Sequence, residues 1–102
     1  MNIGKMMKQV QQAQAKMAQV QEELKDETVQ ASAGGGMVTV VMSGDLALKS
    51  VSIDPAAVDA DDVELLEDMV TAAVNEALRA AQDLAATKMA AVTGGMNLPG
   101  LM

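Results

Sequence analysis

Apolar side chains recur at helical spacing along the first quarter of the chain. Ile3, Val10, Met17 and Leu24 stand seven apart, and Met6, Ala13 and Val20 follow the first three of them by three residues. This alternation is a heptad seam, the stripe that one helix turns toward another. Gln9, Gln11, Gln12, Gln14, Gln19 and Gln21 lie between the seam positions and keep the other face polar while favouring helix. The pattern predicts a helix over about 2–26. At about 1.5 Å per residue it is longer than one small sheet can cover, so part of the seam is expected to meet another helix.

The period then shortens. Residues 28–33 alternate weakly, three glycines at 34–36 supply a turn, and 37–43 is rich in β-branched residues. Ser43, Gly44 and Asp45 form a second turn into a strand over about 46–53. These three strands are expected to form an antiparallel meander. In the third, Leu46 and Leu48 share one face and Val51 and Ile53 the other, a conflict that a bulge or a twist near Lys49 would reconcile.

Asp54-Pro55 closes the strand and opens a single helical turn through Val58. Asp61 and Glu64 have the spacing of a capping box, which starts a long helix running to about 92. Val63, Leu66, Val70, Ala73, Ala77, Ala81 and Leu84 trace its inner stripe, largely alanine in the second half. Thr93-Gly94-Gly95 is expected to stop the helix, leaving 93–102 as a loose apolar tail. The fold class is α+β, an α-β-β-β-α chain of one domain over 1–102.

Composition adds a constraint on burial. Half of the 102 residues are apolar, yet none is Phe, Tyr or Trp, so the core must be built from Met, Val, Leu, Ile and Ala. A single domain of this size leaves much of its surface exposed, and such a thin core makes burial by a partner plausible. The ten methionines can fill gaps between helices or line an adaptable binding groove, and the first use is the commoner. Ile3, Val10, Met17 and Leu24 are accordingly the candidate dimerisation residues.

With no Cys and no His, the chain lacks disulfides, thiol chemistry, the common zinc ligands and the usual general base. The four serines, Ser32, Ser43, Ser50 and Ser52, and a few threonines have only lysines as possible bases, and nothing positions a pair. No catalytic residue, cofactor or metal is expected. The triple glycine is followed by a strand and by no Lys-Ser/Thr pair, which makes it a hairpin turn and not a phosphate loop. No segment has the uninterrupted apolar length of a membrane span, and Met1–Lys8 leads into glutamines instead of an apolar signal core, so a cytoplasmic location is expected.

The net charge of −7 opposes general attraction to a polyanion, but its distribution is uneven. Lys5, Lys8 and Lys16 occupy the first 21 residues without an acid, whereas residues 59–68 hold six acids and no base. The acids suit the start of a helix, whose dipole they complement, better than a metal cluster. The lysines admit two readings, a solubilising face or a stripe for phosphate.

Met7-Lys8-Gln9 with Gln11, Gln12 and Gln14, then Lys16-Met17 and Gln21-Glu22-Glu23, resembles the first helix of the YbaB/EbfC family of nucleoid-associated proteins. Val51 to Pro55, Leu65-Leu66-Glu67-Asp68-Met69-Val70, the stretch from Ala73 to Arg79, Lys88-Met89-Ala90 and Gly95-Met96-Asn97-Leu98-Pro99-Gly100 are similar to that family as well. The resemblance spans nearly the whole chain. It implies a bacterial homodimer whose sheets join and whose long helices project like tweezers, bound to duplex DNA in the nucleoid with little or modest sequence preference and in some members acting on gene expression. By that resemblance Lys8, Lys16, Arg79 and Lys88 fall on basic family positions and become candidate DNA contacts, with Lys5 added from charge alone. Leu48-Lys49-Ser50 stands where family members often carry consecutive arginines, and Ala80 replaces a second basic residue after Arg79. Fewer cations imply weaker binding. The competing expectation is a protein-interaction adaptor that uses the Met-rich seam and the apolar tail.

Overall fold

The computed structural model describes residues 2–96, with side chains through Val92. Helix α1 spans Ile3–Asp26 and is capped by Asn2, whose side-chain oxygen accepts the Lys5 N–H at 3.1 Å. It ends where Glu27 turns extended, its N–H still donating to the Glu23 carbonyl at 3.1 Å. Three antiparallel strands follow, β1 (Thr28–Ala33), β2 (Val38–Ser43) and β3 (Leu48–Ile53), in the order β1-β2-β3. A turn of 3-10 helix at Pro55–Ala57 is closed by the Asp54 carboxylate, which accepts the Ala56 N–H at 2.9 Å. Helix α2 then runs Val63–Met96, about 51 Å at 1.5 Å per residue.

The helix-sheet contact is built from small residues against β-branched ones. Ala73, Ala77 and Ala81 of α2 and Val38 and Val40 of β2 are all fully buried, and Met42 nearly so. Alanine on the helix lets its axis approach the sheet closely, so each valine loses most of its contact with water, worth about 2 kcal/mol apiece. Leu66, Met69, Val70, Val74 and Leu78 flank this seam on α2, and Val29, Ala31 and Ala33 flank it on β1. A second, smaller cluster joins the helices, with Val20 and Leu24 of α1 against Val92, Met89, Ala85 and Leu84 of α2. Because α2 covers β1 and β2, edge strand β3 is exposed along its length. The result is elongated, 71 × 25 × 16 Å, with the N-terminal half of α1 uncovered by the rest of the chain.

Of the bulge or twist expected near Lys49, the structure has a bulge. Val41 pairs with Ser50 and Met42 with Leu48, leaving Lys49 as the extra residue. Leu48, Val51 and Ile53 thereby share the face of Met42, Val40 and Val38.

Several boundaries differ from the sequence expectation. The second turn is longer than Ser43-Gly44-Asp45, so β3 begins at Leu48 and not 46. Ser43 organises this turn, its Oγ donating to the Asp45 carboxylate and accepting the Ala47 N–H at 3.1 Å, while Leu46 takes a left-handed φ of 70°. The cap of α2 is Asp62, whose carboxylate accepts the Leu65 N–H at 3.3 Å, whereas Asp61 lies in a turn made by Asp59. Val63 is consequently 50% exposed and outside the inner stripe. Helix α2 also continues through Thr93-Gly94-Gly95 to Met96. Glycine weakens a helix by about 1 kcal/mol without forbidding it. The expected tail from 97 onward lies outside the described residues.

Candidate nucleic-acid interface

The basic end of the molecule is the N-terminal half of α1. At 100° per residue, Lys5, Lys8 and Lys16 fall within an arc of about 80°, while Ile3, Met6, Met7, Val10 and Met17 lie on the opposite side of the helix. The helix is thus amphipathic, with a basic stripe backed by an apolar one. All three lysines are exposed, and among the described residues none forms an ion pair. Lys5 and Lys16 are eleven residues apart, about 16 Å along the axis.

Arg79 and Lys88 are differently placed. Arg79 is exposed on α2 and its guanidinium pairs with Glu76 one turn earlier. Lys88 faces α1, where its ammonium lies 3.1 Å from Glu23 and 2.6 Å from Glu27, leaving its side chain 24% exposed. The Glu27 and then the Glu23 carboxylate hold the Lys88 pKa above its usual range, against the opposing pull of burial. The contacted oxygen of Glu27 is sealed from solvent and has no hydrogen-bond partner, so this contact is an ion pair without a well-directed hydrogen bond. Lys16 lines the same interhelical groove, together with Gln19, Val20, Ala91 and Val92. The pairing itself has no signal in the sequence, where no local spacing links Glu23 or Glu27 to a lysine more than 60 positions away. Lys49, the bulge residue, is an additional exposed cation without an ion pair among the described residues.

The seam divides into two parts. Ile3, Val10 and Met17 are exposed at 66%, 56% and 43%. Leu24 departs from the expectation of an interface residue. It is 5% exposed and packs within its own chain against Val92 and Gly44, because α1 meets α2 and the β2 end at this level. On the sheet, Leu48, Val51 and Ile53 of β3 are also exposed, giving a second uncovered apolar strip.

The acidic residues sit at the other end. Asp59 and Asp62 are engaged in the turn and cap that start α2, and no group of carboxylates suited to a metal ion occurs among the described residues. The three glycines of the β1–β2 turn all have positive φ and lead into a strand, so their amides are not gathered at a helix start. No helix among the described residues is long and apolar enough to cross a membrane.

An α-β-β-β-α chain with one acid-free basic helix end matches a known class across almost its entire length. The model of the YbaB/EbfC DNA-binding family aligns with residues 1–96, and the chain belongs to that family. It is 55% identical over 100 residues to a nucleoid-associated protein of Thermoanaerobacter sp. (strain X514), covering 98% of this chain and 90% of that protein. It is similarly 54% identical over 99 residues to a nucleoid-associated protein of Moorella thermoacetica, covering 97% and 95%. In structure it resembles the crystal structure of an uncharacterized protein from Helicobacter pylori, with a TM-score of 0.71, 24% identity, and coverage of 81% of this chain and 87% of that one. That likeness shows the shared fold.

Proposed function

We propose that this member of the family acts as a homodimer that holds duplex DNA through phosphate contacts from the Lys5, Lys8 and Lys16 stripes of its two first helices. The observation that carries the reading is the acid-free, unpaired lysine stripe on a helix that projects from the body of the molecule. Three cations over about 16 Å span roughly five steps of a duplex at 3.4 Å per step, a spacing suited to following a backbone. With no Phe, Tyr or Trp in the chain there is no ring to stack on an unpaired base, which favours duplex over single-stranded targets. Arg79 is a further candidate contact, since its exposed guanidinium can exchange Glu76 for a phosphate.

The dimer is supported by the two apolar strips the single chain leaves uncovered. Ile3, Val10 and Met17 lie on the side of α1 away from its lysines, so a second copy seated there leaves both basic stripes facing outward. Leu48, Val51 and Ile53 line an edge strand, the element a second sheet joins most readily. Binding without base readout suits organisation of the nucleoid, and through occupancy of DNA it extends to effects on gene expression. Titrating labelled duplex with the wild type and with a Lys8→Glu/Lys16→Glu variant tests the reading. A clear loss of affinity is expected, and equal affinity contradicts it.

A further inference from the structure

Lys88 occupies a basic family position, yet its ammonium is held by two carboxylates of the other helix. Glu23 lies one turn before the end of α1, and Glu27 is the residue on which α1 gives way to β1. The three charges therefore tie α2 to both sides of the α1 terminus. Among the described residues these are the only ion pairs between elements, since Lys25–Glu22 and Arg79–Glu76 lie within single helices. Withdrawing Lys88 toward a phosphate gives up two carboxylate contacts at once, one of them covering a Glu27 oxygen that has no other partner.

We infer that Lys88 is a positioning residue, a clasp that sets the direction in which α1 projects its lysine stripe, and that it does not itself contact DNA. The inference rests on the DNA-binding reading of that stripe. Two features make the clasp consequential. Beside it, α1 is attached to α2 through the small cluster around Val20, Leu24 and Val92, and N-terminal to Val20 the helix has no buried residue. From Glu23 to Lys5 is eighteen residues, about 27 Å, so a tilt of about 10° at the clasp moves Lys5 by about 5 Å, more than a phosphate step. The clasp also neutralises charge beside Lys16, which lines the same groove. Without Lys88, the Glu23 carboxylate in that groove is left to compete with DNA for the Lys16 ammonium.

A charge relocation separates the two roles. K88E places three carboxylates together, whereas K88E/E27K keeps two anions and one cation at the same three positions and the same net charge. The chain has no Cys, so spin labels at introduced cysteines replacing Gln12 on α1 and Ser52 on β3 report the helix direction, with labelled protein diluted by unlabelled. K88E is expected to broaden the label distance and weaken duplex binding about tenfold or more, and K88E/E27K to restore both to within about twofold of wild type. K88Q gives the same direction should K88E not fold. If Lys88 touched phosphate, K88E/E27K would bind as weakly as K88E, and the salt slope would fall by about two for a dimer, which overturns the inference. An unchanged label distance in K88E and K88Q overturns it as well. Wild type that binds no duplex overturns the DNA-binding reading instead, and the distance distributions then decide the clasp alone.

Discussion

Leu24 lies so close over Gly44 that a methyl group on Gly44 comes within 2.6 Å of its Cδ2 and 2.9 Å of its carbonyl oxygen. The carbonyl belongs to the backbone of α1, which cannot yield as a side-chain tip can. Gly44 also donates its N–H to the Glu27 carbonyl at 2.9 Å, fixing the turn against the end of the helix. Gly44→Ala is therefore expected to lower stability by about 1–3 kcal/mol, the usual range for forcing atoms into a filled space. Urea unfolding of wild type and variant measures this, and an unchanged midpoint contradicts the close approach.

The alanine stripe of α2 makes a similar claim with an internal control. Ala77 is fully buried between helix and sheet, whereas Val63, on the same helix, is half exposed. Ala77→Leu has no space for its added carbons and is expected to cost about 1–3 kcal/mol. Val63→Ala is expected to change stability by no more than about 0.5 kcal/mol. The reverse order in thermal unfolding places the inner stripe wrongly.

Much of this was legible in the chain because it depends on period. The α1 seam, the β3 alternation whose shift called for a bulge or twist near Lys49 and the Ala73-Ala77-Ala81 stripe each follow a spacing set by backbone geometry. What was not legible depends on competition between near equals or on tertiary approach. Asp61 and Asp62 both suit a cap, and the turn made by Asp59 decides between them. Leu24 carries the same pattern as Ile3, yet only the packing of α2 and Gly44 shows that its position is filled within the chain. In the candidate site the lysine stripe was visible as a run without acids, while the pairing of Lys88 with Glu23 and Glu27 joins residues far apart in sequence.

That pairing has a pH signature of definite sign. The folded chain holds the Lys88 proton above its ordinary value of 10.5, Glu27 being the larger cause. The contribution of the clasp to stability is therefore complete below the unfolded-state value and lost as pH rises through the folded-state one. The difference in thermal midpoint between wild type and Lys88→Met is expected to hold steady from neutral pH to the onset of lysine titration and to shrink in the alkaline range above it. A difference that grows there contradicts the raised pKa.

The two uncovered apolar strips make separable claims about the proposed dimer. Val10→Asp/Met17→Asp places charge on the exposed part of the α1 seam, and Val51→Asp/Ile53→Asp places it on β3. All four positions are exposed in the single chain, so neither change disturbs its core. Light scattering after size exclusion is expected to show a wild-type dimer and a reduced mass for each variant. A wild-type monomer removes the dimer, and a dimer that survives the α1 change but not the β3 change removes the seam from the interface.

The central claim is that the lysines of α1 hold DNA through its phosphates, and the dependence of duplex affinity on salt tests it most directly. If paired Lys5, Lys8 and Lys16 neutralise about six phosphates, the logarithm of the binding constant falls against the logarithm of salt concentration with a slope near −5. Lys8→Glu/Lys16→Glu is expected to weaken binding at every salt concentration and to flatten that slope. An affinity indifferent to salt, or a slope identical in wild type and variant, contradicts the account.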